Sequence, residues 1–216
     1  MIKAVLFDFD GTLIDTNELI YQSYDFAFKK VFKRNIKNEE FLKLYGRPLR
    51  KSLIEDYGEA GYELIDFYRS FNEENHDRLV RTFSKTTEGL FMLKENNIKL
   101  GVVTSKRLGM VMKGIDFLGY NDFFEALVTL DDTEKHKPLP DPVLKGCDIL
   151  GVKPIDTVYV GDSVFDLVSG HAAGTKTCAV KYSLTSEKEL LSYNPDYFCQ
   201  SILEFSKIIV KENNHE

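Results

Sequence analysis

Residues 2–15 read IKAVLFDFDGTLID, and the fold turns on this stretch. IKAVLF (2–7) is a short apolar run closed by Asp8, the pattern of a buried strand. Asp8 and Asp10 leave its end two residues apart, so both can point the same way. Gly11 permits a tight turn beside them. A single Asp after a strand is common. Two of them, followed by Gly-Thr at a buried strand end, ask for a further reason.

Working outward, residues 17 to 81 change to a helical pattern. Ile20, Tyr24, Ala27, Phe28 and Val31 fall on one helix face, as do Leu64, Ile65, Tyr68 and Phe71. Asn38, followed by Glu39 and Glu40, reads as an N-cap with acids in the first turn. Pro48 reads as a first helical residue and Gly58 as a stop. From residue 82 helices and strands alternate. Helices are predicted near 87–96 and 107–118, from Pro140 to Gly151, from Asp162 to Ala173, and from about 200 before the chain frays into ENNHE. Strands are predicted near 98–103 and 126–130, in DTVYVGDS (156–163) and in KTCAVKY (176–182). Such alternation makes a parallel sheet covered on both faces. The helical block then reads as an insert at the C-terminal edge of the first strand, where open parallel sheets bind ligands.

The strand ending at Asp162 also terminates in acid, in GDSVFD (161–166). If it neighbours the first strand, Asp8, Asp10 and Asp162 converge. Three close carboxylates repel unless protonated or bound to a cation, and an all-oxygen set suits Mg²⁺.

DFDGTLIDT, VVTS (102–105), KHKPLPDP (135–142) and GDSVFD, in this order, resemble the four motifs of the haloacid dehalogenase (HAD) superfamily. The likeness spans essentially the whole chain. DTNELI, GRPL, VTSK and VTLDD are most similar to the bacterial phosphoglycolate phosphatase branch, particularly its pyrophosphate-hydrolysing members. The resemblance implies an α/β fold: a Rossmann-like core of residues 1–16 and 82–216 with an inserted helical cap at 17–81. It implies Asp8 as nucleophile, forming an aspartyl phosphate, and Asp10 as general acid and then base. Mg²⁺ would sit on the Asp8 carboxylate, the Asp10 carbonyl and Asp162. Thr104 would donate its hydroxyl to a phosphate oxygen, Lys137 would neutralise the phosphoryl charge, and the amides of Phe9 and Ser105 would complete the cradle. Asp166 would be an outer ligand near the metal or Lys137.

Each role has a plainer alternative. Thr104 or Ser105 could N-cap the next helix. Asp166, three residues after Ser163, could close a capping box with Asp in place of Glu. Lys137 could be a solvated loop lysine. His136 and His171 read as surface residues, and neither His76, on a polar stretch, nor His215, in the tail, is assigned a role. Cys147 and Cys178 read as buried packing.

Residues 29–51 hold nine Lys or Arg against two Glu. Most belong to a solvated face, but Arg47 and Arg50, in GRPLRK, match a substrate-facing cap loop of related phosphatases. Cations there would suit pyrophosphate or a phosphorylated acid. Asp10 argues against dehalogenation, which needs no general acid. A sugar phosphomutase, whose histidine position here is Ile20, and a non-catalytic phosphate binder are the alternatives.

The chain has 216 residues, 43% hydrophobic and 29% charged, with net charge −6. That composition excludes long disorder, and the acidic balance disfavours nucleic acid. Three scattered cysteines give no disulfide framework or zinc site. The apolar N-terminal run is too short for a signal segment, and no stretch is long enough for a membrane span. The expectation is a cytoplasmic monomer or weak homodimer acting on a small phosphorylated metabolite or pyrophosphate.

Overall fold

The computed structural model describes residues 1–215. It divides into two compact units: Met1–Asp15 with the chain from Thr82 onward, and Thr16–Arg81.

The first unit is built on a six-stranded parallel sheet. Its first strand, β1 (Ala4–Phe7), is buried throughout, because its neighbours cover both edges and helices cover both faces. The chain leaves through β2 (Ile14–Asp15) and returns through β3 (Arg81–Thr82), a two-stranded sheet of their own. These two were not anticipated; two residues are too few to show alternation. β4 (Lys99–Val103) and β6 (Thr157–Gly161) flank β1, with β5 (Ala126–Val128) at one edge and β7 (Lys176–Val180) and β8 (Tyr197–Cys199) toward the other. Phe7 is in register with Val102 on one side and Val160 on the other. The residues that follow these strands, Asp8, Thr104 and Asp162, therefore emerge along one sheet edge, at the point where the strand order reverses.

The helices of this unit are α5 (Thr86–Glu95), α6 (Leu108–Leu118), α7 (Asp141–Leu150), α8 (Val164–Ala173), α9 (Glu187–Ser192) and α10 (Ile202–Asn213). α7 and α8 cover the face carrying Leu6, Val103 and Tyr159, while α5 and α10 pack together elsewhere on the sheet. β5 stops short of the predicted residue 130. Asp132 accepts hydrogen bonds from Thr129 N (2.8 Å) and Oγ1 (2.7 Å), which turns the chain into a 3-10 helix at Leu130–Asp132. The last helix runs two residues into ENNHE, the stretch expected to fray, of which Glu216 lies outside the described residues. α10 runs to Asn213, whose amide clasps the backbone of Ile2, accepting from its N–H (2.8 Å) and donating to its carbonyl (2.7 Å).

The second unit is a helical bundle of α1 (Asn17–Phe32), α2 (Asn38–Leu44), α3 (Leu49–Tyr57) and α4 (Ala60–Leu79). α1 and α4 form its main packing, and Tyr24, Ala27, Phe28, Leu64 and Ile65 are buried there. Asn38 is the first helical residue rather than the cap. Glu40 does the capping, accepting the Lys37 N–H (3.0 Å) while paired with Arg34 (2.7 Å). The Arg34 hydrogen bond holds the Glu40 carboxyl down at about 2. Pro48 lies one residue ahead of α3, and Gly58 ends it at φ 59°. Among the described residues no helix is long and apolar enough to cross a membrane.

Candidate active site

Asp8 follows β1 directly, its N–H held by the Val160 carbonyl (2.8 Å), and its side chain turns into the interior at 8% exposure. Such burial costs a carboxylate several kcal/mol unless a partner compensates. Lys137, also 8% exposed, supplies it: Nζ donates to Asp8 Oδ1 (2.9 Å) and to Asp166 Oδ1 (2.7 Å). Lys137 is thus no solvated loop residue. Burial still pushes Asp8 up to about 7, against the pull of Lys137 and with the help of Asp166. Burial works against the Lys137 ammonium too, but Asp166 and Asp8 together hold it well above its usual range.

Asp166 serves both readings given for it. Its Oδ2 accepts from Ser163 N (3.0 Å) and Ser163 Oγ (2.6 Å), which closes the capping box of α8. Its Oδ1 accepts from Lys137 and from Tyr159 Oη (3.1 Å), whose proton is shared with the Val103 carbonyl (2.9 Å). Both oxygens are therefore occupied by protein donors. Gly161 makes room for this carboxylate. A Cβ there would stand 2.2 Å from Asp166 Cβ and 2.5 Å from Cγ. Gly161→Ala is expected to displace Asp166, loosen Lys137 and lower turnover of p-nitrophenyl phosphate by roughly tenfold or more, with an overpacking cost of about 1–3 kcal/mol in thermal unfolding. Wild-type turnover in this variant would show that the placement of Asp166 is immaterial.

Carboxylate oxygens of Asp8, Asp162 and Asp166 lie within 4.8 Å of one another, all buried. The donors are oxygen only, hard and anionic, and fit Mg²⁺ rather than a thiolate- or imidazole-seeking metal. Asp166 accepts from Ser163, Lys137 and Tyr159, so of the three carboxylates it is the one most committed to protein donors. The segment after β7 braces both loops. Ser183 Oγ donates to the Asp162 carbonyl, and Tyr182 Oη donates to the Thr12 carbonyl (2.7 Å).

The loop after Asp8 is closed tightly. Gly11, at φ 77°, donates to the Ile14 carbonyl (2.8 Å), and the Phe9 carbonyl accepts from Leu13 and Ile14. Asp10 leans outward and meets Lys106, whose Nζ lies 2.7 Å from its Oδ1 and 6.0 Å from the Phe9 ring centroid. Thr104 Oγ1 accepts the Lys106 N–H (3.2 Å) and keeps its own proton to donate. Neither Thr104 nor half-buried Ser105 caps α6, which starts at Leu108 after Arg107.

Asp8, Asp10, Thr104, Lys137, Asp162 and Asp166 all lie at this sheet edge. Arg47 and Arg50 make their contacts within the helical unit. Arg47 pairs with Asp56 (2.8 Å) and Glu55 (3.3 Å), and Arg50 lies over the Tyr62 ring. His171 is exposed, His136 half-buried, and Cys147, Cys178 and Cys199 are buried. His76, read as part of a polar stretch, is fully buried, with Nδ1 2.8 Å from Asp77 Oδ1. Sequence reasoning missed Lys106 and Tyr159. The available signals were a cation two residues beyond Thr104 and a tyrosine three residues before Asp162, inside a buried strand.

Residues 5–180 match the family model described as haloacid dehalogenase-like hydrolase. The chain belongs to that family. A PpaX relative from Clostridium perfringens is 42% identical over 215 residues, covering 99% of this chain and 100% of its own. Pyrophosphatase PpaX of Bacillus pumilus is 38% identical over 208 residues, covering 96% of each chain. Among solved structures, a predicted phosphatase from Clostridium acetobutylicum superposes with TM-score 0.85 at 27% identity, covering 98% of this chain and 99% of that one. The α/β core is thus the HAD fold, and the chain is a HAD-family phosphatase.

Proposed function

We propose that this HAD phosphatase is a Mg²⁺-dependent pyrophosphatase working through an aspartyl phosphate on Asp8. The observation that carries the chemistry is the buried Asp8 carboxylate, clamped by Lys137 and set beside Asp162 at the end of the central strand. The sheet fixes Asp8, so little reorganisation precedes attack on phosphorus. Lys137 would draw charge off the equatorial phosphoryl oxygens, and Thr104 would donate its hydroxyl to one of them. The Phe9 and Ser105 amides would complete the cradle. Asp10, outside the buried carboxylate cluster, would protonate the leaving oxygen and then take a proton from the water that hydrolyses the acyl phosphate. Asp8, Asp162 and the Asp10 carbonyl would hold Mg²⁺, which when bound supplies positive charge that screens the anionic phosphoryl group from anionic Asp8.

For the substrate, support comes from the PpaX relatives, which match over nearly the whole chain, and from Lys106. Its ammonium stands against Asp10, beside which the leaving group would depart. A leaving phosphate would find a cation there, and a neutral sugar has less use for one. Lys106→Ala should therefore lower kcat/KM for pyrophosphate by roughly 10- to 150-fold while p-nitrophenyl phosphate loses far less. Equal losses on the two would remove Lys106 from leaving-group recognition. Arg47 and Arg50 stand as further candidates, tested on the same pair by the double alanine variant.

A panel of pyrophosphate, phosphoglycolate, sugar phosphates and nucleotides, each with and without Mg²⁺, tests the assignment. Pyrophosphate should give the highest kcat/KM. A sugar phosphate or phosphoglycolate ranking first would overturn the substrate, and no turnover at all would leave a phosphate-binding protein.

A further inference from the structure

We infer that Tyr159 is a positioning residue for phosphoryl transfer, its hydroxyl tying the end of β4 to the Asp166 carboxylate that anchors Lys137. The inference rests on the proposed role of Lys137. Tyr159 lies in the middle of β6, in register with Leu6, and packs among Leu6, Val103, Val143 and Cys147. Packing alone would be served by phenylalanine. The hydroxyl does something else: it reaches the Val103 carbonyl at 2.9 Å and Asp166 Oδ1 at 3.1 Å.

Val103 is the residue before Thr104, so one acceptor belongs to the strand end that presents the Thr104 hydroxyl. The other acceptor is the oxygen that receives Lys137 at 2.7 Å. Lys137 Nζ also lies 5.8 Å from the Tyr159 ring centroid. A lysine ammonium is a point charge on a flexible stem, and it stays put only where its acceptors do. Asp166 Oδ2 is fixed by Ser163, but Oδ1 depends on Tyr159 to keep it from swinging with Lys137. Burial also keeps the phenol protonated and able to donate. The hydroxyl thus couples the position of Lys137 to that of Thr104, two groups expected to grip the same phosphoryl oxygens.

The test is Tyr159→Phe, which keeps the ring and removes only the hydroxyl. Kinetics on pyrophosphate and p-nitrophenyl phosphate are measured beside thermal unfolding. In parallel, ¹⁵N-lysine-labelled protein reports the Lys137 ammonium, assigned with Lys137→Met. The expected result is a fall in kcat on the order of tenfold, equal on the two substrates, with KM nearly unchanged. The Lys137 ammonium signal should be protected from exchange in the wild type and should broaden or vanish in the variant. A purely structural role would lower the melting temperature and leave kcat and the ammonium signal alone, which would overturn the inference. Wild-type protein inert on both substrates would refute the proposed function, while the ammonium signal would still decide whether Tyr159 holds Lys137.

Discussion

Asp8→Asn is expected to lose turnover on every phosphate substrate by roughly 10⁴-fold or more while the protein stays folded. The amide keeps the shape of the carboxylate but has no anionic oxygen with which to attack phosphorus. Stability should hold for a specific reason. Lys137 retains Asp166 as its counter-ion at 2.7 Å, so no buried cation is stranded. The substitution also removes one of three buried carboxylates that crowd within 4.8 Å. The melting temperature without metal should therefore stay the same or rise. The measurements are kcat on p-nitrophenyl phosphate and pyrophosphate, and a thermal scan. Retention of a tenth of the wild-type rate would rule out covalent catalysis by Asp8.

Removing divalent cations should be as damaging. Three buried carboxylates lie close together, and like charges at that spacing repel an incoming phosphate unless a cation joins them. Excess EDTA should abolish activity and Mg²⁺ should restore it. Mg²⁺ should also raise the melting temperature, by about 2.7 kcal/mol of stabilisation at a hundredfold excess over its Kd. Asp162→Ala should raise the Mg²⁺ concentration for half-activity by roughly 100-fold or more, since on the proposed function it removes a direct ligand rather than a supporting one. Ca²⁺ should inhibit, because its larger and looser shell disturbs in-line attack. Activity that survives EDTA would take the metal out of the account.

The sheet was legible because IKAVLF and the strands before Thr104 and Asp162 are apolar runs that end in chemistry-bearing residues. Glycines marked the ends of α3 and α7, where Gly58 and Gly151 adopt positive φ. β2 and β3 were illegible because two residues show no period, and β8 because its three residues stand between polar Asp196 and Gln200 with no longer apolar run to mark them. Asn38 was placed one residue off because the cap of α2 is made by the Glu40 side chain, which three neighbouring polar residues do not reveal. His76 was read only as part of a polar stretch, although its spacing points inward. Leu64, Asn72 and His76 lie at multiples of four and are buried, and Asn72 donates to Ser23 Oγ (3.1 Å).

The site divides in the same way. Asp8, Asp10, Thr104, Lys137, Asp162 and Asp166 stand at strand ends or in motif positions, and the sheet brings them to one edge. Lys106 and Tyr159 depend on tertiary distance: one meets Asp10 across 96 residues of chain, the other bridges Val103 and Asp166. Counting cations in residues 29–51 does not show which of them are already paired. Arg34 and Arg47 are each paired with acids of their own unit.

The central claim is a covalent bond between Asp8 and phosphorus. The most direct measurement is to quench wild-type protein during turnover of pyrophosphate with Mg²⁺, reduce it with borohydride and map its peptides by mass. Borohydride converts an aspartyl phosphate to homoserine and leaves a plain carboxylate alone. The account predicts homoserine at position 8, none at Asp10 or Asp162, and none in Asp8→Asn. Position 8 unmodified under conditions where substrate is being consumed, or homoserine at another aspartate, would contradict it.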